Sequence, residues 1–244
     1  MIDGALLGTL AFALACAYGV AMVSRPRLLT PSALMDRILT GAGAGLLIGR
    51  LASVLLTDWS ALSRPTELIA VRAGVDFWIG AIGGARVLAR PTRRDRRSGL
   101  LGLADVAPYA LVGYGAFQVG CLVRGGCFGP FASVGLVPTG MSHRVFPVEL
   151  VVGALLAFLG VALRVADDRR PVMTLAAAVG ALALGRLVVG RLTPSVSGSW
   201  QRPELESAAV LAAALVIGAL DGAKVRRRRR PECPRRITDA LDPG

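Results

Sequence analysis

"GALLGTLAFALACAYGVAMVS", residues 4–24, runs 21 residues without a charge. Wound as a helix at 1.5 Å per residue it is about 32 Å long, the thickness of a bilayer's hydrocarbon core. Only Asp3 precedes it as a charged group, so it lacks the basic segment that opens a secretory signal and reads as a retained span. The fold class turns on this reading, because the pattern recurs. Apolar runs of similar length cover about 38–57, 67–89, 100–123, 147–165, 171–190 and 204–221. The chain is 54% hydrophobic with a mean hydropathy of +0.59, yet carries a net charge of +12. That combination excludes an ordinary soluble domain. The 244 residues hold no polar insert long enough for a second one. The expected fold is an all-α integral membrane protein, a bundle of seven transmembrane helices forming one domain over 1–222. A basic, disordered tail is expected over 223–244.

The basic residues orient the bundle. The segments 25–37, 90–99, 164–170 and the tail after 222 hold 19 Lys and Arg, against 5 in the opposite set. By the positive-inside rule the N-terminus faces out and the C-terminus is cytoplasmic, in a multi-pass plasma-membrane protein. The tail "KVRRRRRPECPRR" has the composition of a nucleic-acid patch, but beside a span it reads as an anchor on anionic headgroups, at about 1 kcal/mol per basic residue. No nucleic-acid partner is expected. Cys121 and Cys127 are six residues apart; two free thiols are the expectation, with a disulfide as the alternative in an oxidising compartment. No CxxC or His-rich pattern points to a metal, and no cofactor is implied.

Charges inside the spans are costly, about 2.5–3.5 kcal/mol for an arginine at a helix centre, and usually face a cavity or a partner. With this orientation Arg50 lies about 10 Å below the outer surface and Asp76 about 13 Å below it, on neighbouring spans, so the two can pair. Arg72 stands one turn above Asp76 on the same expected helix. Arg186 lies near the outer end of the sixth span, Glu149 opens the fifth, and Gln118 and Arg124 flank "GCLVRGGCFG", residues 120–129. Gly120 and Gly125 in that stretch allow a sharp turn and close approach to a ligand. Arg50, Arg72, Arg124 and Arg186, with Asp76 and Glu149, are thus expected to form a cationic pocket near the outer leaflet. Arginine's planar fork suits the phosphate of an anionic lipid headgroup. The plainer reading is that these charges only pair with one another and fix helix register.

From about residue 40 to 192 the order of features resembles the bacterial prolipoprotein diacylglyceryl transferase family. "LIGRLASVLL" is similar to the family's Gly-Arg-containing second span. "LADVAPYALVGYGAFQVGCLVRGGCFG" is similar to its Asp-x-x-Ala-Pro span and the signature that follows. "RVFPVEL" resembles its His-Pro-x-Gln-Leu-Tyr-Glu, and "LGRLVVGR" its Arg-Phe-x-x-Glu-x-x-Arg, with Arg186 and Arg191 carried over. The resemblance implies transfer of a diacylglyceryl group from phosphatidylglycerol to the lipobox cysteine thiol of a prolipoprotein, so prolipoprotein signal peptides are implied partners. Several motif positions differ. The signature arginine falls on Gln118, its glycine on Phe117 and its asparagine on Cys121. The histidine of Phe-His-Gly-Gly falls on Trp78, the one before proline on Phe146, and the glutamate after Arg186 on Gly190. The only histidine, His143, lies in an outer loop. On this reading Arg50 and Arg186 hold phosphate, aided by Arg72, Arg124, Gln118, Gly120 and Gly125. Asp76 or Glu149 serves as the base and Arg186 neutralises the leaving group. The alternatives are an inactive lipid-binding relative and, from another class, a small transporter.

Overall fold

The computed structural model describes residues 4–57, 75–89, 99–166, 170–193 and 201–229, with side chains of the last helix described through 224. Seven α-helices lie among them: α1 Gly4–Ser24, α2 Pro31–Thr57, α3 Phe77–Leu88, α4 Gly99–Val119, α5 Val148–Val165, α6 Pro171–Leu192 and α7 Arg202–Arg229. All but α3 are long and apolar enough to cross a membrane. The protein is an all-α membrane protein, as composition requires.

Three elements differ from expectation, each for a local reason. Of the third span, expected over 67–89, residues 67–74 lie outside the described residues, and the described helix starts at Phe77. Asp76 does not sit within a helix. Its backbone is extended, and its carboxylate accepts the Ile79 N–H at 3.0 Å, satisfying one of the helix's orphan donors. Arg72, expected on the same helical face, also lies outside the described residues. The second helix begins at Pro31 rather than 38, because Thr30 Oγ1 accepts the Ala33 N–H and proline suits a first helical turn. Asp36 and Arg37 in that first stretch hide it from an apolar-run reading. The last helix continues through four arginines to Arg229, past the expected end at 221, since arginine is a good helix former. A fourth difference is a short strand in the connection between α4 and α5, β1 Phe131–Leu136, bridged to Val145.

α4 is central, packed on α1, α5 and α6; α6 pairs with α7, and α2 with α3. Tyr109 of α4 is fully buried against Ala21 and Leu34. In lipid, apolar burial gives helices no reason to associate, so contact depends on close packing. Small residues provide it. A Cβ on Gly45 would stand 2.8 Å from the Gly80 carbonyl oxygen, and one on Gly80 2.6 Å from that of Gly45, so α2 and α3 touch backbone to backbone. Gly153 and Gly160 of α5 do the same against α4. Bulky side chains such as Leu47, Phe158 and Leu215 instead point outward, toward acyl chains.

At the end of the bundle where α1 finishes, Asp105 of α4 is buried and accepts the N–H groups of Arg27 and Leu28 at 3.2 and 3.1 Å. Arg164 donates to the carbonyls of Ser24 and Arg25, which end α1. These contacts leave both groups in structural roles, far from the opposite end where the candidate site lies. The α2–α3 pair contacts the rest of the bundle sparsely. Among the described residues its ties at that end include Asp76, which caps α3, and Phe77 and Trp78, which begin it.

Candidate functional site

Two adjoining cavities open where α3, α4, α6 and α7 meet. One, of about 230 Å³, is lined by Asp76, Phe77, Trp78, Arg186, Arg202 and Glu206 among others. The second, of about 180 Å³, is lined by Tyr114, Gln118, Arg186, Gly190, Glu204 and Ser207 among others. Arg186 borders both.

Its guanidinium lies flat on the Phe77 ring, with Cζ 3.8 Å from the centroid, a favourable cation–π geometry. Nη1 donates to Tyr114 Oη at 3.1 Å, and Gln118 Nε2 donates to the same oxygen at 2.9 Å. Tyr114 therefore accepts twice and keeps its own proton free to donate. Arg186 Nε is buried and has no hydrogen-bond partner among the described residues. No carboxylate pairs with Arg186 among them either. The Nε–Nη2 edge, the two-pronged edge that matches a phosphate or carboxylate, thus has no partner among the described residues. An orphaned buried donor costs about 1–3 kcal/mol, which an oxyanion would offset.

The neighbouring carboxylates are occupied elsewhere. Arg202 donates to Asp76 Oδ2 at 3.1 Å and to Glu206 Oε1 at 2.6 Å, so it ties α3 to α7 across the mouth of the larger cavity. Trp78 is buried and donates from Nε1 to Ser207 Oγ at 3.0 Å; Ser207 Oγ in turn donates to the Pro203 carbonyl. Trp78 is thereby a fixed wall with no titrating function.

The structure gathers Arg186, Asp76 and Gln118 at these cavities. Arg50 is buried on α2, one turn before the lining residue Ser53, and the Asp76 N–H donates to the adjoining Gly49 carbonyl at 3.0 Å. Arg124 and Glu149 form a neighbouring cluster and line neither cavity. Arg124 stacks on Phe117 at 4.2 Å and is near enough to Glu149 for its charge to act on that carboxylate. Gly120 abuts Thr9 of α1, a packing contact. Gly125 has a φ of +104°, which favours glycine in the turn. His143 sits in the connection between α4 and α5, against Phe131. Tyr114, Arg202, Glu204 and Glu206 were not singled out from sequence. Their signal is faint: an acidic pair just after Arg202-Pro203, where the last span starts.

Cys121 and Cys127 are joined, with 5.0 Å between their Cα atoms, so the expectation of two free thiols is overturned. The 3₁₀ turn Gly120–Leu122 and the left-handed glycines Gly125 and Gly126 fold the loop back on itself, which bare spacing does not reveal. A thiol reagent applied without reductant is expected to label neither residue and, after reduction, both. Mass spectrometry of the tryptic peptides reads the difference, and labelling of either before reduction would contradict the bridge.

No curated relative matches the chain. The sequence profile of the prolipoprotein diacylglyceryl transferase family matches residues 5–222, from the start of α1 to the last helix. That match covers most of the protein and includes every helix that frames the two cavities, and the chain therefore belongs to the prolipoprotein diacylglyceryl transferase family.

Proposed function

We propose that this membrane protein transfers a diacylglyceryl group from phosphatidylglycerol to the lipobox cysteine thiol of a prolipoprotein. The observation that carries the reading is Arg186: a guanidinium at two joined cavities, braced by Phe77 and Tyr114, with its fork edge unpartnered. The phosphodiester of the lipid occupies that edge. As the thiolate attacks the glyceryl carbon, negative charge builds on the departing glycerol phosphate, and a preorganised cation stabilises it more than it does the ground state. Arg50 adds positive potential from α2, and Tyr114 offers its free proton to a phosphate oxygen. Arg202, bridging Asp76 and Glu206, stands at the mouth through which a headgroup enters. The N-terminus faces outside the plasma membrane, so the cavities meet the outer leaflet.

The test is conversion. Purified protein, phosphatidylglycerol and a lipobox peptide are expected to give a thioether-linked diacylglyceryl peptide, with phosphatidylcholine giving none. A second reading, an inactive lipid-binding relative, is favoured by Trp78, which fills the position of the family's histidine with a buried, hydrogen-bonded indole. Phosphatidylglycerol binding without thioether product would establish that reading and overturn the first.

A further inference from the structure

We propose that Glu204, at the start of α7, is the base that takes the proton from the acceptor thiol. The inference rests on the transferase reading. Glu204 is buried, yet it lines the smaller cavity together with Arg186, Tyr114 and Gln118. Its position is held from one side only. Oε2 accepts the Gln201 N–H at 3.1 Å and lies 3.7 Å from Arg191 Nη1. Oε1 has no partner among the described residues. That oxygen stands over Gly190: a Cβ there would be 3.5 Å from Oε1 and 3.4 Å from the Glu204 Cγ. The absent side chain at 190 leaves the room that Glu204 takes from the facing helix. One oxygen is thus anchored and the other turned toward the cavity that Arg186 borders, the arrangement a positioned general base needs.

Other carboxylates do not meet these conditions. Asp76 has both oxygens engaged, by Ile79 N–H and Arg202, and the Glu206 side chain is 29% exposed and held by Arg202 at 2.6 Å, whereas that of Glu204 is 7% exposed with its arginine 3.7 Å away. Glu149 lines neither cavity. The ionisable groups facing Glu204 are Arg186 and Arg191 from α6 and Tyr114 from α4. Both arginines remain charged across the accessible pH range.

The step balances as follows. The cysteine S–H gives its proton to Glu204 Oε1, and the thiolate sulfur attacks the glyceryl carbon that carries the phosphate. The C–S bond forms as the C–O bond breaks. The bond's electron pair goes to the phosphate oxygen beside Arg186. Glu204 then gives its proton to the departing glycerol phosphate, restoring the carboxylate.

Glu204→Gln keeps the shape and removes the base. In the conversion assay at pH 7 it is expected to lower the rate by about 10²–10⁴-fold, with phosphatidylglycerol binding retained. Raising the pH to about 9.5, above the ordinary thiol value of about 8.5, should restore most of the rate, because the acceptor then ionises unaided. Glu204→Asp should retain part of the activity at pH 7. The proposal is overturned if Glu204→Gln matches the wild type at pH 7. It is also overturned if both variants lose lipid binding and show no recovery at high pH, which marks a structural role. Wild type is measured alongside: no product from it sinks the transferase reading and this inference together, whereas an active wild type with an unaffected Glu204→Gln sinks the inference alone.

Discussion

Arg186→Ala is expected to lower the rate of thioether formation by about 10²–10³-fold, the usual cost of removing one preorganised electrostatic group from a transition state. Binding of phosphatidylglycerol should weaken too, by less, because the charge on the departing phosphate exceeds that on the bound lipid. Arg186→Lys separates charge from geometry. Lysine keeps the positive charge but has no fork, so it should recover binding better than rate. Removing Arg186 also releases Phe77, which the guanidinium covers, and Tyr114, which loses one of its two donors. Tyr114→Phe therefore serves as a companion. It removes the brace and the hydroxyl's own phosphate contact while leaving the cation, so a small effect there beside a large one for Arg186→Ala assigns the loss to the guanidinium itself. Unchanged lipid capture by Arg186→Ala would remove the basis of the proposed function.

Gly45→Leu is expected to prevent assembly of the bundle. The first added carbon would lie 2.8 Å from the Gly80 carbonyl oxygen, and backbone cannot swing aside as a side-chain end can. Overpacking a closed site costs about 1–3 kcal/mol where side chains absorb it, and here the branched remainder must separate two helices. Gly43→Ala provides the contrast: no atom lies within 4 Å of its added carbon, and alanine favours helix over glycine by roughly 0.5–1 kcal/mol. Thermal melting in detergent, followed by size-exclusion, should show the Gly45 variant aggregated and the Gly43 variant equal to or above wild type. Because α2 and α3 carry Arg50 and Asp76, the same substitution should also abolish lipid capture.

Most of the architecture was legible because a bilayer demands long uncharged runs, and α1, α5 and α6 begin and end within two residues of the runs read from sequence. The third element was less legible. An apolar run shows where a helix is possible, but the start at Phe77 is decided by a side chain, Asp76, that prefers capping to lying inside a turn. Arg186 was recoverable because an arginine within a span is conspicuous. Glu204 was not, since a glutamate at a span's first turn looks like ordinary surface. What distinguishes it is the void over Gly190, a relation between two helices that no single stretch contains. The Cys121–Cys127 bond was hidden for a similar reason, as the turn that closes it depends on two glycines in left-handed backbone.

That small covalent ring bears on biogenesis. It encircles Arg124, and in a chain-entropy account such closure favours the folded loop by about 2–3 kcal/mol. The bond needs an oxidant, which the cytosol does not supply. With the proposed orientation, which puts the end of α4 outside the plasma membrane, a nascent chain stays open at this point until that end has been exported, and cells short of oxidising power there would accumulate a fully inserted but unlatched form. The ring then makes the protein's completion answer to the redox state of a compartment its ribosome never meets.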